Sequence, residues 1–346
     1  GGTELTGLVR GAINDLVGEL AASAKIPLNK IVELILVGNP VMHHLVLGLD
    51  STPLGQAPFT LQVAESVLAE ATSLELVCEA AYVYVLPCIA GHVGADTAAV
   101  ILAEDPINFD GSLLIVDVGT NAEIVLSVDG ELSAASSPTG PALEGAQITC
   151  GQRASKGAIE RVRINRETLE PKFKVIGSDL WSDDPLFDED IKAFGITGIC
   201  GSGIVEVLGE MYLAGLIAED GLLSDVPSGM GLETSRVFQE GRTFSYMLHR
   251  GSESSHNRDI IVNQSDVRAV QLAKAALRAG VDLLMERAQL TSVKQIRFAG
   301  GFGSHIDPLY AMILGLIPDC PLSDVVSSGN AAGAGAIIAL VSGQAR

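Results

Sequence analysis

Residues 113–128 read Leu-Leu-Ile-Val-Asp117-Val-Gly119-Thr120-Asn121-Ala-Glu123-Ile-Val-Leu-Ser-Val, and the fold is decided by this stretch. The apolar run before Asp117 predicts a buried strand, which turns through Gly-Thr-Asn into a second strand. Gly119 can adopt the positive φ that points successive amides into one concavity, where phosphate oxygens can be held. Asp117 at the strand end is placed to hold Mg²⁺ through its waters, because that hard cation keeps several of them. The stretch predicts a strand–turn–strand phosphate loop, although an Asp-x-Gly-Thr turn also occurs in plain hairpins.

Length and charge restrict the function classes. The chain has 346 residues with 47% hydrophobic content, enough for a large core and two lobes. Its formal net charge of −20 argues against a nucleic-acid or anionic-membrane partner, because phosphates would be repelled.

Cysteine usage and the chain ends predict a cytoplasmic protein. The five cysteines are scattered without a CxxC pair, which indicates reduced thiols and neither a zinc nor an iron–sulfur spacing. The apolar tail segment 331–341 is too short to span a bilayer, and the N-terminus has no signal-peptide character.

The second half of the chain shows a regular order of elements. A three-strand meander is predicted at residues 113–118, 122–128 and 131–137, with an Asp-Gly hairpin turn between the last two. A long helix is predicted through residue 290 with Ser265 as its N-cap, followed by a strand at 295–299. The segment 223–260 is interpreted as a mobile loop or hairpin.

The first half repeats the later part of this order. Residues 37–49 echo 299–316, and residues 90–102 echo 328–340, with glycines where a strand passes into a helix. No strand meander with an Asp-x-Gly-Thr turn precedes residue 31, so we expect the chain to start partway through its first lobe. Unpaired strand edges left by that start favour a homodimer.

Several motifs in order carry a family resemblance. They are Gly38-Asn-Pro-Val-Met-His-His-Leu45, Asp117-Val-Gly-Thr-Asn-Ala-Glu, Ser137-Pro-Thr-Gly-Pro-Ala-Leu-Glu144-Gly145, Gly198-Ile-Cys-Gly-Ser-Gly203, Ala299-Gly-Gly-Phe-Gly303 and Gly329-Asn-Ala-Ala-Gly333. Together they resemble the reductive activators of corrinoid proteins, ATPases of the acetate and sugar kinase, Hsp70 and actin (ASKHA) superfamily. The resemblance runs over nearly the whole chain.

The resemblance implies a fold and a function. It implies an α/β fold of duplicated ribonuclease H-like lobes of the actin and Hsp70 type, here residues 1–105 (truncated at the N-terminus) and 106–346. The implied activity is ATP-dependent return of a Co(II) corrinoid to Co(I) in methyl-transfer metabolism, with a corrinoid protein as partner. A [2Fe–2S] domain that supplies the electron is also implied, and no such domain lies in this chain.

The same resemblance assigns candidate site residues. Asp117 and Glu144 are the catalytic candidates, Asp117 through Mg²⁺ and Glu144 by orienting the attacking water, although Glu144 also fits a plain helix-start carboxylate. The candidates for holding ATP are Gly119, Thr120, Asn121, Gly300, Gly301, Phe302, Gly303, Gly329 and Asn330. The glycines at 300, 301 and 303 let the backbone approach a flat adenosine. Gly329-Asn330 and Gly91–Asp96 would open two paired helices.

Other readings stay open at this point. A small-molecule kinase of the same fold needs a catalytic aspartate, for which Asp96 is the first-lobe candidate. An ATP-sensing scaffold without turnover is the non-enzymatic alternative. The adjacent His43 and His44 point in different directions on a helix, which argues against a shared metal.

Overall fold

The computed structural model describes residues 2–225, 234–251 and 258–346. Contacts between residues divide the chain into two compact units. The first unit holds Gly1–Leu113, Val125–Ser136 and Ser328–Arg346, and the second holds Leu114–Ile124 and Ser137–Ser327. Among the described residues, no helix combines the length and apolar character needed to cross a membrane.

The first unit alternates helices with short strands. Its elements are α1 (Gly2–Ala24), β1 (Glu33–Leu36), α2 (Pro40–Leu47), β2 (Val67–Glu70), β3 (Tyr82–Val85) and α3 (Ala95–Glu104). The strands form a sheet of order β1-β3-β2, in which β1 is parallel and β2 antiparallel to β3. Val83 and Val85 of the middle strand are buried and pack with Val17 of α1. The sheet and α1 therefore share one apolar core.

The phosphate-loop stretch forms the predicted meander. Its strands are β4 (Ser112–Val118), β5 (Ala122–Val128) and β6 (Glu131–Ser137). Residues 113–116 of β4 are at most 1% exposed, because this strand is covered on both faces and reads as one apolar run.

The second unit contains two further sheets and the longest helix. Its elements are β7 (Ala158–Ile164), β8 (Pro171–Val175), α4 (Phe187–Asp190), β9 (Gly198–Ile199), α5 (Gly201–Leu213), β10 (Val237–Glu240), β11 (Thr243–His249), β12 (Ile260–Asn263), α6 (Gln264–Arg287), β13 (Gln295–Ala299), α7 (Gly300–Gly303) and α8 (Pro308–Ile313). The strand β14 (Val325–Gly329) begins in the second unit, and its last two residues belong to the first. The strand orders are β8-β7-β9, β10-β11-β12 and β14-β13-β4-β5-β6.

Two buried carboxylates of α5 bind the free edge of β7. Glu206 accepts a hydrogen bond from the backbone N–H of Val162 at 2.8 Å, and Glu210 accepts one from Ile164 at 3.0 Å. Glu206 is fully buried and Glu210 is 6% exposed. These side chains satisfy backbone donors that no strand among the described residues reaches, and unsatisfied donors would cost stability.

The terminal helix α9 (Ala331–Val341) packs against α3 in the first unit. A Cβ built on Gly335 would lie 1.9 Å from the carbonyl oxygen of Ala99, so the two helix backbones touch. The predicted pairing of these two helices is confirmed.

Most predicted elements are confirmed, with one correction at α6. Its N-cap is Asn263 rather than Ser265, because the Asn263 side chain accepts hydrogen bonds from the backbone of Ser265 and Asp266. In the segment 223–260, β10 and β11 form an antiparallel hairpin, and residues 226–233 and 252–257 lie outside the described residues. The lobe boundary at residues 105 and 106 stays a prediction.

Candidate functional site

The turn between β4 and β5 is held by the loop that follows β6. The hydroxyl of Thr139 lies 2.9 Å from the carbonyl oxygen of Gly119 and 3.0 Å from that of Thr120. The Gly140 N–H donates to the Thr120 carbonyl at 2.9 Å, and the Gly119 N–H donates to the Asn121 carbonyl at 3.0 Å. The loop Ser137-Pro-Thr-Gly-Pro141 therefore fixes the conformation of residues 119–121, the predicted phosphate turn.

Gly119 does not adopt the positive φ that the sequence analysis gave as its purpose. It is absent from the described glycines with positive φ, and an added Cβ would meet Asn121 O at 3.4 Å and Oε1 of Glu144 at 4.0 Å, both ordinary contacts. The expected backbone reason for this glycine is therefore wrong, and its role in holding phosphate stays a prediction.

Gly300 provides the close approach instead. Its φ is +82°, and an added Cβ would lie 2.2 Å from Oδ1 of Asp117. The end of β4 and the β13–α7 corner are thus in contact, although they are separated by more than 180 residues of sequence. In contrast, Gly301 has open space around it, and Gly303 meets Phe298 only at 3.6 Å. Of the three glycines in this corner, only Gly300 is required by sterics.

Glu144 joins the same group of residues. It ends the short 3₁₀ turn Pro141–Glu144, and its Oε1 accepts a hydrogen bond from the Thr120 hydroxyl at 2.6 Å. Glu144 lies in the first turn of this four-residue segment, so the helix-start interpretation stays open beside the catalytic one. A carboxylate that contacts the phosphate turn can orient a water molecule there, which is the type of positioning that phosphoryl transfer needs.

A cavity of about 440 Å³ lies beside these residues in the second unit. Its size is in the range of pockets that hold drug-sized ligands. It is lined by Glu144, Arg153, Ala154, Glu160, Ile176, Cys200, Gly201, Ser202, Gly301, Phe302 and His305. The cavity therefore brings Glu144 together with Gly300–Gly303, the corner between β13 and α7 that we predict to approach adenosine; we call it the adenosine corner.

The Gly198–Gly203 motif shapes one wall of this cavity by close packing. An added Cβ on Gly201 would lie 2.0 Å from Leu143 O and 2.4 Å from a ring atom of Phe302. Cys200 is buried, with its thiol 3.3 Å from the Ile159 carbonyl oxygen. Close packing therefore accounts for Gly201 in this motif.

Three polar residues of the cavity were missed by the sequence analysis, namely Arg153, Glu160 and His305. None belongs to a glycine-rich motif, and packing alone brings them to the cavity. His305 lies two residues beyond the Ala299–Gly303 motif, and its Nδ1 is 2.9 Å from the Gly301 carbonyl oxygen. This short separation from the motif is the only feature of the sequence that indicates His305 as a site residue.

Gly329 and Asn330 belong to the first unit. Gly329 has a φ of +60°, and the Asn330 side chain caps α9 by accepting a hydrogen bond from the Gly333 N–H at 2.9 Å. Their predicted contact with nucleotide stays a prediction.

The two adjacent histidines have different environments. The Gln62 N–H donates to Nε2 of His44, which leaves Nδ1 of that ring to donate to the Pro40 carbonyl at 2.9 Å. His43 is 2% exposed, and neither of its ring nitrogens has a hydrogen-bond partner among the described residues. Burial, and to a smaller extent His44, lowers the pKa of His43 to about 4. In the described part of the chain, no group of three or more His, Cys, Asp or Glu side chains could hold a metal.

Two family models together match nearly all of the chain. The one described as the C-terminal domain of RACo, the ASKHA domain, matches residues 111–346. The one described as the RACo middle region matches residues 1–106.

Individual relatives agree with these models. The chain is 33% identical over 334 residues to the corrinoid activation enzyme RamQ of Eubacterium limosum, covering 95% of this chain and 53% of the relative. It is 27% identical over 257 residues to the [Co(II) methylated amine-specific corrinoid protein] reductase of Methanosarcina barkeri, covering 72% and 42%. A solved reductive activator for corrinoid, iron-sulfur protein superposes with a TM-score of 0.82 at 29% identity, covering 99% of this chain and 52% of that one.

The chain spans about half the length of the curated relatives that it matches. The predicted resemblance and the α/β ASKHA fold class are both confirmed. The chain belongs to the RACo family and carries its C-terminal ASKHA domain over residues 111–346.

Proposed function

We propose that the second unit binds ATP with Mg²⁺ at the phosphate turn and in the adjoining cavity. Asp117 would hold Mg²⁺ through water, and the turn Gly119-Thr120-Asn121 would contact the phosphates. The residues fit such a group, because carboxylate oxygens are hard donors and Gly300 leaves space beside one of them. Mg²⁺ would supply neutralisation of phosphate charge.

The observation that carries this proposal is the approach of Gly300 to Asp117. It joins the predicted phosphate turn to the predicted adenosine corner, whose next residues, Gly301 and Phe302, line the cavity together with Glu144. Glu144, held by the Thr120 hydroxyl, would orient the attacking water.

The proposed activity is ATP-dependent reductive activation of a corrinoid protein, from Co(II) to Co(I), in methyl-transfer metabolism. The relatives named above as a corrinoid activation enzyme and a Co(II) corrinoid protein reductase support it. ATP can drive a change of shape only if it interacts differently with the two states of the protein. The chain would supply this nucleotide-driven part.

Further parts of the proposal rest on the family resemblance and on the sequence: unpaired strand edges favour a dimer, and reduced cysteines favour the cytoplasm. We propose residues 1–105 and 106–346 as two ASKHA lobes, with Gly329 and Asn330 as further nucleotide contacts. The electron would come from a [2Fe–2S] domain outside these 346 residues. The proposed working form is a cytoplasmic homodimer whose partner is a corrinoid protein.

Calorimetric titration with ATP tests the nucleotide site. We expect wild-type protein to bind ATP in the presence of Mg²⁺ and Asp117→Ala to bind it at least about tenfold more weakly, a loss of about 1.4 kcal/mol or more. The difference should shrink without Mg²⁺, because Asp117 acts through the metal. The exposed Asp319→Ala is the matched control and should bind as wild type. Equal binding by wild type and Asp117→Ala would exclude the assigned site.

Phosphate release then identifies the activity. We expect it to rise when a purified Co(II) corrinoid protein is added, and to stay unchanged with sugars or short carboxylates. Stimulation by a sugar or carboxylate would instead indicate a kinase, and nucleotide binding without either response would indicate a sensing module.

A further inference from the structure

Four basic side chains lie on one face of the β7–β8 strand pair. Arg161 and Arg163 alternate along β7, and Lys172 and Lys174 alternate along β8, so each pair points to one side of its strand. The antiparallel register places Arg161 opposite Lys174 and Arg163 opposite Lys172. The four side chains therefore form a square of like charges, which we call the basic face.

This arrangement opposes stability. Like charges directly opposite each other across two strands are destabilising. The chain has only 22 Lys and Arg against 42 Asp and Glu, so four cations on two short strands are a local reversal of its charge. A feature that breaks a local rule in this way marks a candidate functional surface.

The single tryptophan of the chain lies among these cations. The Trp181 ring centroid is 5.3 Å from Nζ of Lys172, 5.5 Å from Nζ of Lys174 and 5.8 Å from Cζ of Arg163. Cations within about 6 Å of a ring centroid are attracted to its face. Trp181 thus holds three of the four cations close together.

Buried carboxylates of α5 hold the guanidinium groups of the two arginines in place. Glu206 binds Nη1 of Arg161 at 2.6 Å and Nη1 of Arg163 at 2.7 Å. The guanidinium of Arg163 also lies 5.2 Å from the ring centroid of Tyr310, whose hydroxyl donates to Glu210. The arginine heads are therefore ordered before any ligand arrives, which reduces the entropic cost of binding.

The basic face keeps a positive balance after its internal pairs are counted. Glu206 compensates one charge of the arginines, and Asp183 pairs with Lys172 at 3.4 Å. Lys174 forms no ion pair within the part of the chain that the structure describes. The buried Glu210 also attracts Arg163. Four cations against these three carboxylates leave about one positive charge on side chains that stay partly exposed.

We propose that the basic face is a docking surface for a carboxylate-rich segment on the surface of a partner protein. Charge complementarity indicates that the ligand of this surface is negatively charged. A compact acidic segment meets only the basic face, whereas an extended polyanion such as nucleic acid also meets the remaining surface of a chain with net charge −20. Such a contact steers association and fixes the orientation of the partner.

Fluorescein-labelled hexaglutamate is the probe for this surface, with anisotropy as the measure of affinity. We expect saturable binding at 10 mM salt, accompanied by a change in Trp181 fluorescence that places the peptide at the basic face. The affinity should fall at least tenfold at 150 mM salt because of screening. The double variant Lys172→Gln/Lys174→Gln should lose at least tenfold in affinity at 10 mM salt.

The control variant changes the charge equally at another place. Arg278→Gln/Arg287→Gln on α6 also removes two positive charges and should bind as wild type. The charge-reversed Lys172→Glu/Lys174→Glu should reject hexaglutamate. Equal losses in the two Gln double variants, or an oligothymidylate bound as tightly as hexaglutamate, would overturn the proposal. Circular dichroism checks that every variant is folded.

Discussion

A methyl group added at Gly300 would meet Asp117 Oδ1 in a residue whose φ is +82°. We expect Gly300→Ala to lower the free energy of unfolding by about 1–3 kcal/mol through backbone strain. It should also weaken ATP–Mg²⁺ binding, because Asp117 has to move. Denaturant unfolding and calorimetry measure the two effects.

Gly301→Ala is the control for that substitution. No atom lies within 4 Å of the added methyl group, and the φ of Gly301 is outside the left-handed region. Its unfolding midpoint should stay close to that of the wild type. If both variants lose the same stability, the contact with Asp117 is not the reason.

His43 predicts a dependence of stability on pH. Its pKa is lowered from 6.5 to about 4 in the folded chain, so the unfolded chain binds the proton more readily. The stability linked to the neutral ring is complete above pH 6.5 and is lost as the pH falls towards 4. The loss amounts to about 1.4 kcal/mol per pH unit, and at most about 3 kcal/mol in total.

His43→Leu should remove that acid sensitivity. Leucine also suits the apolar cavity of about 160 Å³ that His43 lines with Val9, Leu36 and Val46, where neither ring nitrogen has a partner in the part of the chain that the structure describes. Denaturant unfolding at pH 7.5 and pH 5 compares the variants. His44→Leu, which breaks two hydrogen bonds, should instead be destabilised at both pH values. An unchanged difference between the two pH values in His43→Leu would contradict this explanation.

At the scale of elements, the start of α6 depends on one side chain. Asn263 and Asp266 form a capping box, in which each side chain binds the backbone of the other residue. Asn263→Ala should lower the melting temperature through a loss of about 1 kcal/mol. Ser265→Ala should have a much smaller effect, since that hydroxyl only donates to the Asn263 side chain. A larger effect at Ser265 than at Asn263 would restore Ser265 as the cap.

This helix also shows what sequence could and could not predict. Its apolar spacing predicted the helix, because a buried face leaves a periodic pattern. The cap was wrong because Asn263 and Ser265 are both good capping residues two positions apart, and only backbone geometry distinguishes them. Likewise, the apolar run of residues 113–116 predicted β4, where all four side chains are buried.

The sequence also predicted only part of the candidate site. The glycine motifs predicted which corner meets the phosphate turn, because a backbone that approaches another group closely needs residues without a Cβ. They did not predict which glycine matters, since Gly119 and Gly300 look alike in sequence and differ in φ. Arg153 and Glu160 reach the cavity through the packing of distant segments, which leaves no local pattern.

For the whole molecule, the net charge of −20 predicts a dependence on salt. Self-repulsion destabilises a compact chain, and salt screens it. We expect the melting temperature to rise by about 2–4 °C between 10 and 150 mM potassium chloride, corresponding to about 1 kcal/mol. Differential scanning fluorimetry measures it, with sucrose at equal osmolarity as an uncharged control. A fall with added salt would mean that attractive ion pairs outweigh the repulsion.

The contact between α5 and the edge of β7 restricts where residues can be inserted or deleted during evolution. Glu206 and Glu210 are four residues apart on a helix, a rise of about 6.0 Å. The N–H groups that they bind, of Val162 and Ile164, are two residues apart on a strand, about 6.6 Å. One residue inserted between the two glutamates would turn one of them by about 100° around the helix and leave a buried donor without its acceptor. Insertions and deletions in related chains should therefore avoid this segment and accumulate in exposed turns.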